Sequence, residues 1–138
     1  MEKKEALQSK YLEMKMMEQQ IAHIQANVRV MEQQMVELVA TIDSLDSFKE
    51  LKVSSEILVP INNGIFTKAL LKKEDVLLLN VGADVVVEKS VDGTKELLRR
   101  QFNELKEAQM ELVNQLQQLV NYATHLEKEI ADLAAGLE

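Results

Sequence analysis

Along residues 3–47, apolar positions recur with a spacing that alternates three and four. The row is Leu7, Lys10, Met14, Met17, Ile21, Ile24, Val28, Met31, Met35, Leu38, Ile42 and Leu45, and only Lys10 is not apolar. From about residue 91 the same spacing returns as Leu98, Phe102, Leu105, Gln109, Leu112, Leu116, Leu119, Ala123, Leu126, Ile130, Leu133 and Leu137, broken only by Gln109. Together 22 of 24 positions are apolar, where a composition of 46% hydrophobic residues would give about 11. A period of 3.5 residues predicts helices that supercoil through these rows. At 1.5 Å per residue each helix is on the order of 65 Å long.

Between them, residues 51–90 change character. Ile57-Leu58-Val59, Ile65 to Leu70, Val76 to Leu79 and Val85-Val86-Val87 are short, β-favouring runs. Asn62-Asn63-Gly64 and Gly82-Ala83-Asp84 are the turn candidates, and Lys72-Lys73-Glu74-Asp75 is a polar connector. Pro60, the only proline, marks an edge or strand end, because it has no N–H for a ladder. The pattern predicts two β-hairpins. Ser90 or Asp92 is placed to cap the helix that follows.

Two helices of similar length that enter and leave one small strand block pair most simply as an antiparallel coiled coil. The expected fold class is α+β, in one domain over 1–138: a helix over 1–47, two hairpins over 51–90 and a helix over 91–138. Residues 1–17 then lie beside residues 122–138. Four short strands cannot enclose a core. Their nearly continuous apolar runs differ from the alternation of a sheet wetted on one face. Such edges must be paired or covered. The strand block is therefore expected to form a barrel-like body between subunits. Its candidate contacts are Ile57, Val59, Ile65, Phe66, Leu70, Val76, Leu78, Val85 and Val87.

Composition narrows the function. The chain of 138 residues carries a formal net charge of −7 and has no basic stripe, which disfavours nucleic acid as a partner. No apolar run approaches the length of a membrane span, and no secretory h-region follows Met1. Cysteine is absent, which fits a cytoplasmic protein. His23 and His125 fall at outward c positions of the heptad. No Gly-rich phosphate loop and no metal-spaced cluster is present, so the expectation is a non-enzyme without metal or other cofactor.

Apolar residues outside the helical rows need another explanation. With Leu7 at heptad position a, Tyr11 is e, Leu12 is f and Met16 is c, and the last two face away from the partner helix. Met14 and Met17 add flexible, polarisable side chains in the same stretch. Leu126, Ile130, Leu133 and Leu137 lie opposite, on a terminus able to fray. With Leu7, these ten residues are the candidate surface for exposed apolar segments of non-native proteins. The alternative is a structural coiled-coil scaffold that spaces one defined partner.

The strand block also carries a family likeness. Glu56-Ile57-Leu58-Val59-Pro60-Ile61 with Gly64-Ile65-Phe66-Thr67-Lys68-Ala69, and Val81-Gly82-Ala83-Asp84-Val85-Val86-Val87-Glu88-Lys89, resemble the α-class prefoldin subunits. The β class has one hairpin, and two hairpins here point to α. Asn62-Asn63 stands where a Gly-Ala type of turn is frequent, and Asp84 where a second glycine is common. The resemblance implies an ATP-independent cytoplasmic chaperone in which two α subunits join four β subunits as an α2β4 hexamer. Coiled-coil tips then hold unfolded client proteins and pass them to a group II chaperonin.

Overall fold

The computed structural model describes residues 2–137. Its elements run α1 (Glu2–Lys49), β1 (Glu56–Asn62), β2 (Ile65–Leu70), β3 (Leu77–Gly82), β4 (Val85–Lys89) and α2 (Val91–Gly136). Two long helices and two antiparallel hairpins are thus the architecture expected of the sequence. The chain forms two compact units, Met1–Met35 with Glu104–Glu138, and Val36–Asn103.

The first unit is a two-helix antiparallel coiled coil. Every row position from Leu7 to Met35 turns inward, as does every one from Leu105 to Leu133. Leu137 is the exception and is exposed. Cross-helix bonds set the direction: Lys10 meets Glu129, Glu13 meets Tyr122, and Val28 and Glu32 meet Gln109. As the number rises on α1 it falls on α2, which is antiparallel pairing.

Both interruptions of the apolar rows are satisfied across this seam. Lys10 keeps its stem in the seam and sends its ammonium to Glu129 Oε2 at 2.5 Å. Gln109 donates to the Val28 carbonyl at 3.3 Å and to Glu32 Oε2 at 2.9 Å. A polar group in a seam is tolerated where its partner stands at the right level, so these contacts favour one register over its slips.

In the second unit, the start of α2 is held from several sides. Ser90 is the N-cap, its Oγ accepting from the Gly93 N–H at 3.0 Å. Asp75 Oδ1 accepts from the Val91 N–H at 2.9 Å. The connector between the hairpins is therefore a second cap and not only a spacer. Asp75 takes φ +53° to reach that position, within the region that Asp tolerates. Asp46 pairs with Lys95, and Lys49 reaches both oxygens of Asp92 at 2.8 and 2.9 Å. Val91 is fully buried beneath this network.

The hairpins form two separate two-stranded sheets. In the first, Ile57 opposes Ala69 and Val59 opposes Thr67, with a bulge between Pro60 and Asn62. β1 runs through Pro60, which the sequence marked as an edge or a strand end, and the position proves to be an edge. In a two-stranded ribbon each strand is an edge, so a residue without an N–H need not break the ladder. In the second, Leu77 opposes Lys89 and Leu79 opposes Val87. Val76 lies just before β3 and is half-buried.

The two turns differ. At Asn62-Asn63-Gly64 only Gly64 has positive φ, at +75°. At Gly82-Ala83-Asp84, Gly82, Ala83 and Asp84 take φ values of +116°, +49° and +61°. Positive φ at both central residues matches a type I′ turn, for which Asn-Gly is far better suited than Ala-Asp. Replacing Ala83-Asp84 by Asn-Gly is expected to raise stability in urea unfolding by about 1 kcal/mol. Gly64→Ala is expected to lower it by about 1 kcal/mol. The space around Gly64 is open, so that loss comes from backbone strain and not from a clash.

Candidate functional site

The chain leaves many apolar side chains uncovered, Val30, Val36 and Met110 along the helices among them, and two surfaces hold the candidates expected from sequence. The first lies on the coiled coil of residues 1–35 and 104–138. Tyr11, Leu12 and Met16 are 55, 62 and 58% exposed, Leu12 and Met16 on faces that the heptad assigns away from the seam and Tyr11 on its flank. Leu12 and Met16 are four residues apart and form one outward patch, whereas Tyr11 is about 100° from Leu12 around the helix.

The other seven candidates of this surface behave differently. Leu7, Met14, Met17 and Leu133 are half-buried seam residues, and Leu137 is exposed. Leu126 and Ile130 are only 1 and 8% exposed. In the closed coiled coil they are core. The ten residues therefore do not form one continuous surface. Leu12, Met16, Tyr11 and Leu137 are presented outright, while the others require the helices to part.

Polar groups flank that buried level. Glu129 takes Lys10 on one oxygen and lies 3.0 Å from His125 Nε2 on the other. Tyr122 donates its phenolic O–H to Glu13 Oε1 at 2.5 Å. Glu13 and Tyr122 are both g positions, which an antiparallel pair brings face to face. The hydrogen bond from Lys10 holds the Glu129 carboxyl below its ordinary range, and Glu129 in turn raises Lys10. Hydrogen bonding to Glu13 pushes the Tyr122 phenol upward. Tyr122 also borders a shallow groove of about 510 Å³ with Met17 and Leu119 at its base. Sequence reading passed Tyr122 over, although its g position opposite Glu13 is the signal that finds it.

The second surface is the pair of hairpins. Each has one partly covered face, with Ile57 and Ala69 on the first and Leu77 and Leu79 on the second. The opposite faces are bare: Leu58, Phe66 and Leu70 on one, Leu78 and Val86 on the other, with Leu78 70% exposed. The candidate intersubunit residues divide between both faces. Ile57, Val59 and Ile65 share one face of their hairpin, and Phe66 and Leu70 the other. Val85 and Val87 share one face of the second hairpin, and Leu78 the other. Leu58, Ile61, Val81 and Val86 are as exposed as Ile65, Phe66 and Leu70. The near-continuous apolar runs were their sequence signal.

Among the described residues no cluster of His, Asp or Glu is arranged to hold a metal ion, and no helix is long and apolar enough to cross a membrane. Both histidines are exposed, and His125 faces the Glu129 carboxylate on the next turn.

Comparison with known proteins agrees with this geometry. A family profile described as "Prefoldin subunit" matches residues 17–136. The prefoldin subunit alpha of Methanococcus vannielii is 30% identical over 134 residues, spanning 97% of this chain and 90% of that protein. Its counterpart in Methanococcus maripaludis (strain C7) is 34% identical over 110 residues, or 80% of this chain and 74% of that one. The prefoldin subunit alpha of Thermofilum pendens is 31% identical over 97 residues, 67% of this chain and 75% of that one. Among solved structures, a filamentous PFD from Methanocaldococcus jannaschii superposes with a TM-score of 0.72 at 18% identity, covering 83% of this chain and 95% of that one. That likeness concerns the fold.

The Lys10–Glu129 pair has a readable pH dependence. Glu129 titrates below its ordinary value of 4.5, so the pair's contribution to folding is complete above that value and is lost as the pH falls through the lower, folded one. In Lys10→Met the Glu129 carboxyl is expected to titrate closer to 4.5. Carboxyl carbon shifts followed by NMR from pH 7 downward check this, and an unmoved midpoint would refute the assignment of Lys10 as the main cause.

Proposed function

The chain belongs to the prefoldin family of chaperone subunits, and from that premise we propose that it is the α-class subunit of an ATP-independent holdase. The observation that carries the reading is the exposure of Leu12 and Met16, with Tyr11 nearby, on a helix whose seam is already filled. Large apolar groups held outside a satisfied seam suit capture of the apolar segments that a non-native chain displays. Methionine fits varied segments because it has many low-energy conformations. The surface asks for no single sequence in its partner, as a broad client range requires. Binding of this kind needs no nucleotide and no catalytic group.

The uncovered hairpins supply the second half of the proposal. A lone two-stranded ribbon is marginal in water, and these two display apolar side chains on both faces. Covering them by strands of other subunits removes that surface from water and pairs the open edges. The assembly we propose is an α2β4 hexamer with prefoldin β subunits, acting in the cytoplasm and passing clients to a group II chaperonin. Within it the two compact units of this chain work as one prefoldin-like domain. The family profile, which spans residues 17–136 of both units, supports that view.

Two experiments separate client holding from assembly. Leu12→Ser with Met16→Ser is expected to abolish most suppression of client aggregation while leaving the mass of the complex unchanged by light scattering. Undiminished suppression would favour a scaffold that spaces one defined partner. Leu78→Glu and Phe66→Glu are expected to dissociate the complex while the far-ultraviolet helix signal persists, since both side chains are exposed in the single chain. A complex of unaltered mass with both changes in place would exclude the hairpins as the assembly surface.

A further inference from the structure

Leu126 poses a problem of burial. In a two-helix coiled coil the seam is open on both flanks, and most row positions here are accordingly half-buried. Leu126 is 1% exposed and Ile130, one turn on, is 8%. Met35, at 8%, matches Ile130, so Leu126 is the row residue of this unit that stands apart. Of the polar groups within one turn of Leu126 on α2, Tyr122 contacts Glu13, His125 contacts Glu129, and Glu129 contacts Lys10. Two of these contacts cross from one helix to the other at the level of the most buried side chain of this unit.

We propose that the Lys10–Glu129 pair, supported by His125 and by the Glu13–Tyr122 bond, is a polar clasp that governs how much of the apolar seam a non-native chain can reach. The inference rests on the holdase reading and adds a gate to it. Lys10 is the only non-apolar residue in the α1 row. A lysine at that position loosens a seam unless its ammonium is drawn out to a partner, and Glu129 is that partner. The tie is weak by construction, because both side chains are about one third exposed and water competes for their charges. A weak tie is what a gate needs, since binding of an apolar segment can displace it.

Position completes the case. Lys10 is followed directly by Tyr11 and Leu12, so a segment docked on the exposed patch already lies within one turn of the clasp. When the clasp parts, Met14, Leu126 and Ile130 become available to extend the same apolar contact. The patch is then the permanent part of the binding surface and the seam behind the clasp is its latent part.

The test uses the full chain in complex with its β-type partner and two variants that act in opposite directions. Glu129→Ala removes the carboxylate that ties both Lys10 and His125, without harming helix propensity. Lys10→Leu makes the α1 row apolar throughout and closes this level of the seam without a clasp. Hydrogen exchange of the amides of residues 122–133 reports opening with no client present. Affinity for reduced, carboxymethylated α-lactalbumin, a permanently unfolded probe, reports capture. For Glu129→Ala, exchange is expected to quicken roughly two- to fivefold and affinity to rise by a similar factor. For Lys10→Leu both are expected to fall. Exchange unaltered in both variants would overturn the clasp. Exchange that moves while affinity stays constant, or moves the opposite way, would overturn the gate. In either case loss of capture in Leu12→Ser with Met16→Ser keeps the holdase reading intact, and retention of capture there counts against that reading itself.

Discussion

Antiparallel pairing of two heptad rows is the interaction on which everything else depends. It is hydrophobic and spread over many layers, so it tolerates weak points. Ala123 and Lys10 both occupy row positions where a large apolar side chain would pack better. What the rows supply collectively is register. Once Leu and Met side chains have settled into layers, Gln109 stands opposite Val28 and Glu32, and Lys10 opposite Glu129. Those polar contacts add little net free energy at exposed sites. Their effect is selective, because a slip of one layer would leave the same groups in the seam without partners.

A filled seam also gives meaning to the apolar residues that it does not use. On a helix with no partner, Leu12 or Met16 would be read as part of a core still to be formed. Beside a completed seam they are surplus, and surplus exposed apolar surface marks contact with another molecule. The hairpins make the same point in a different geometry. Two strands can pair their backbones but cannot cover both of their faces, so Leu58, Phe66, Leu70, Leu78 and Val86 stay open until another chain arrives. One polypeptide thus shows two kinds of incomplete surface. The strand surface combines open edges with apolar faces, which suits permanent assembly, and the helix surface is small and adaptable, which suits transient capture.

Polar detail is concentrated where elements meet. The start of α2 is secured by Ser90 from its own segment and by Asp75 from the connector between hairpins. Asp75 accepts a left-handed backbone conformation to do so. Ala83 and Asp84 accept the same conformation to close the second hairpin. Local strain of this sort persists only because neighbouring ladders and caps over-determine the geometry.

Much of this was legible in the residues alone. Helical period, strand runs, turn positions, a cap at Ser90 or Asp92 and the placing of Tyr11, Leu12 and Met16 outside the seam all follow from local backbone geometry, which repeats every 3.6 or 2 residues and so leaves a trace in one dimension. Even the surplus of apolar side chains in the strands was readable, because the runs did not alternate. Other features arise only when two distant segments are brought together, and no single period encodes them. Lys10 was a flaw in a row until the stagger of the helices placed Glu129 within reach. Leu126 resembled every other row position until the fold buried it to 1%, with cross-helix polar contacts on either side of it. Asp75 was one charge in a polar connector until the fold set it at the head of a helix. The sequence by itself determined which faces are apolar. The tertiary structure decided which of those faces are closed and which polar groups close them, because stagger and level are set by the packing of whole helices and not by any residue's own preference.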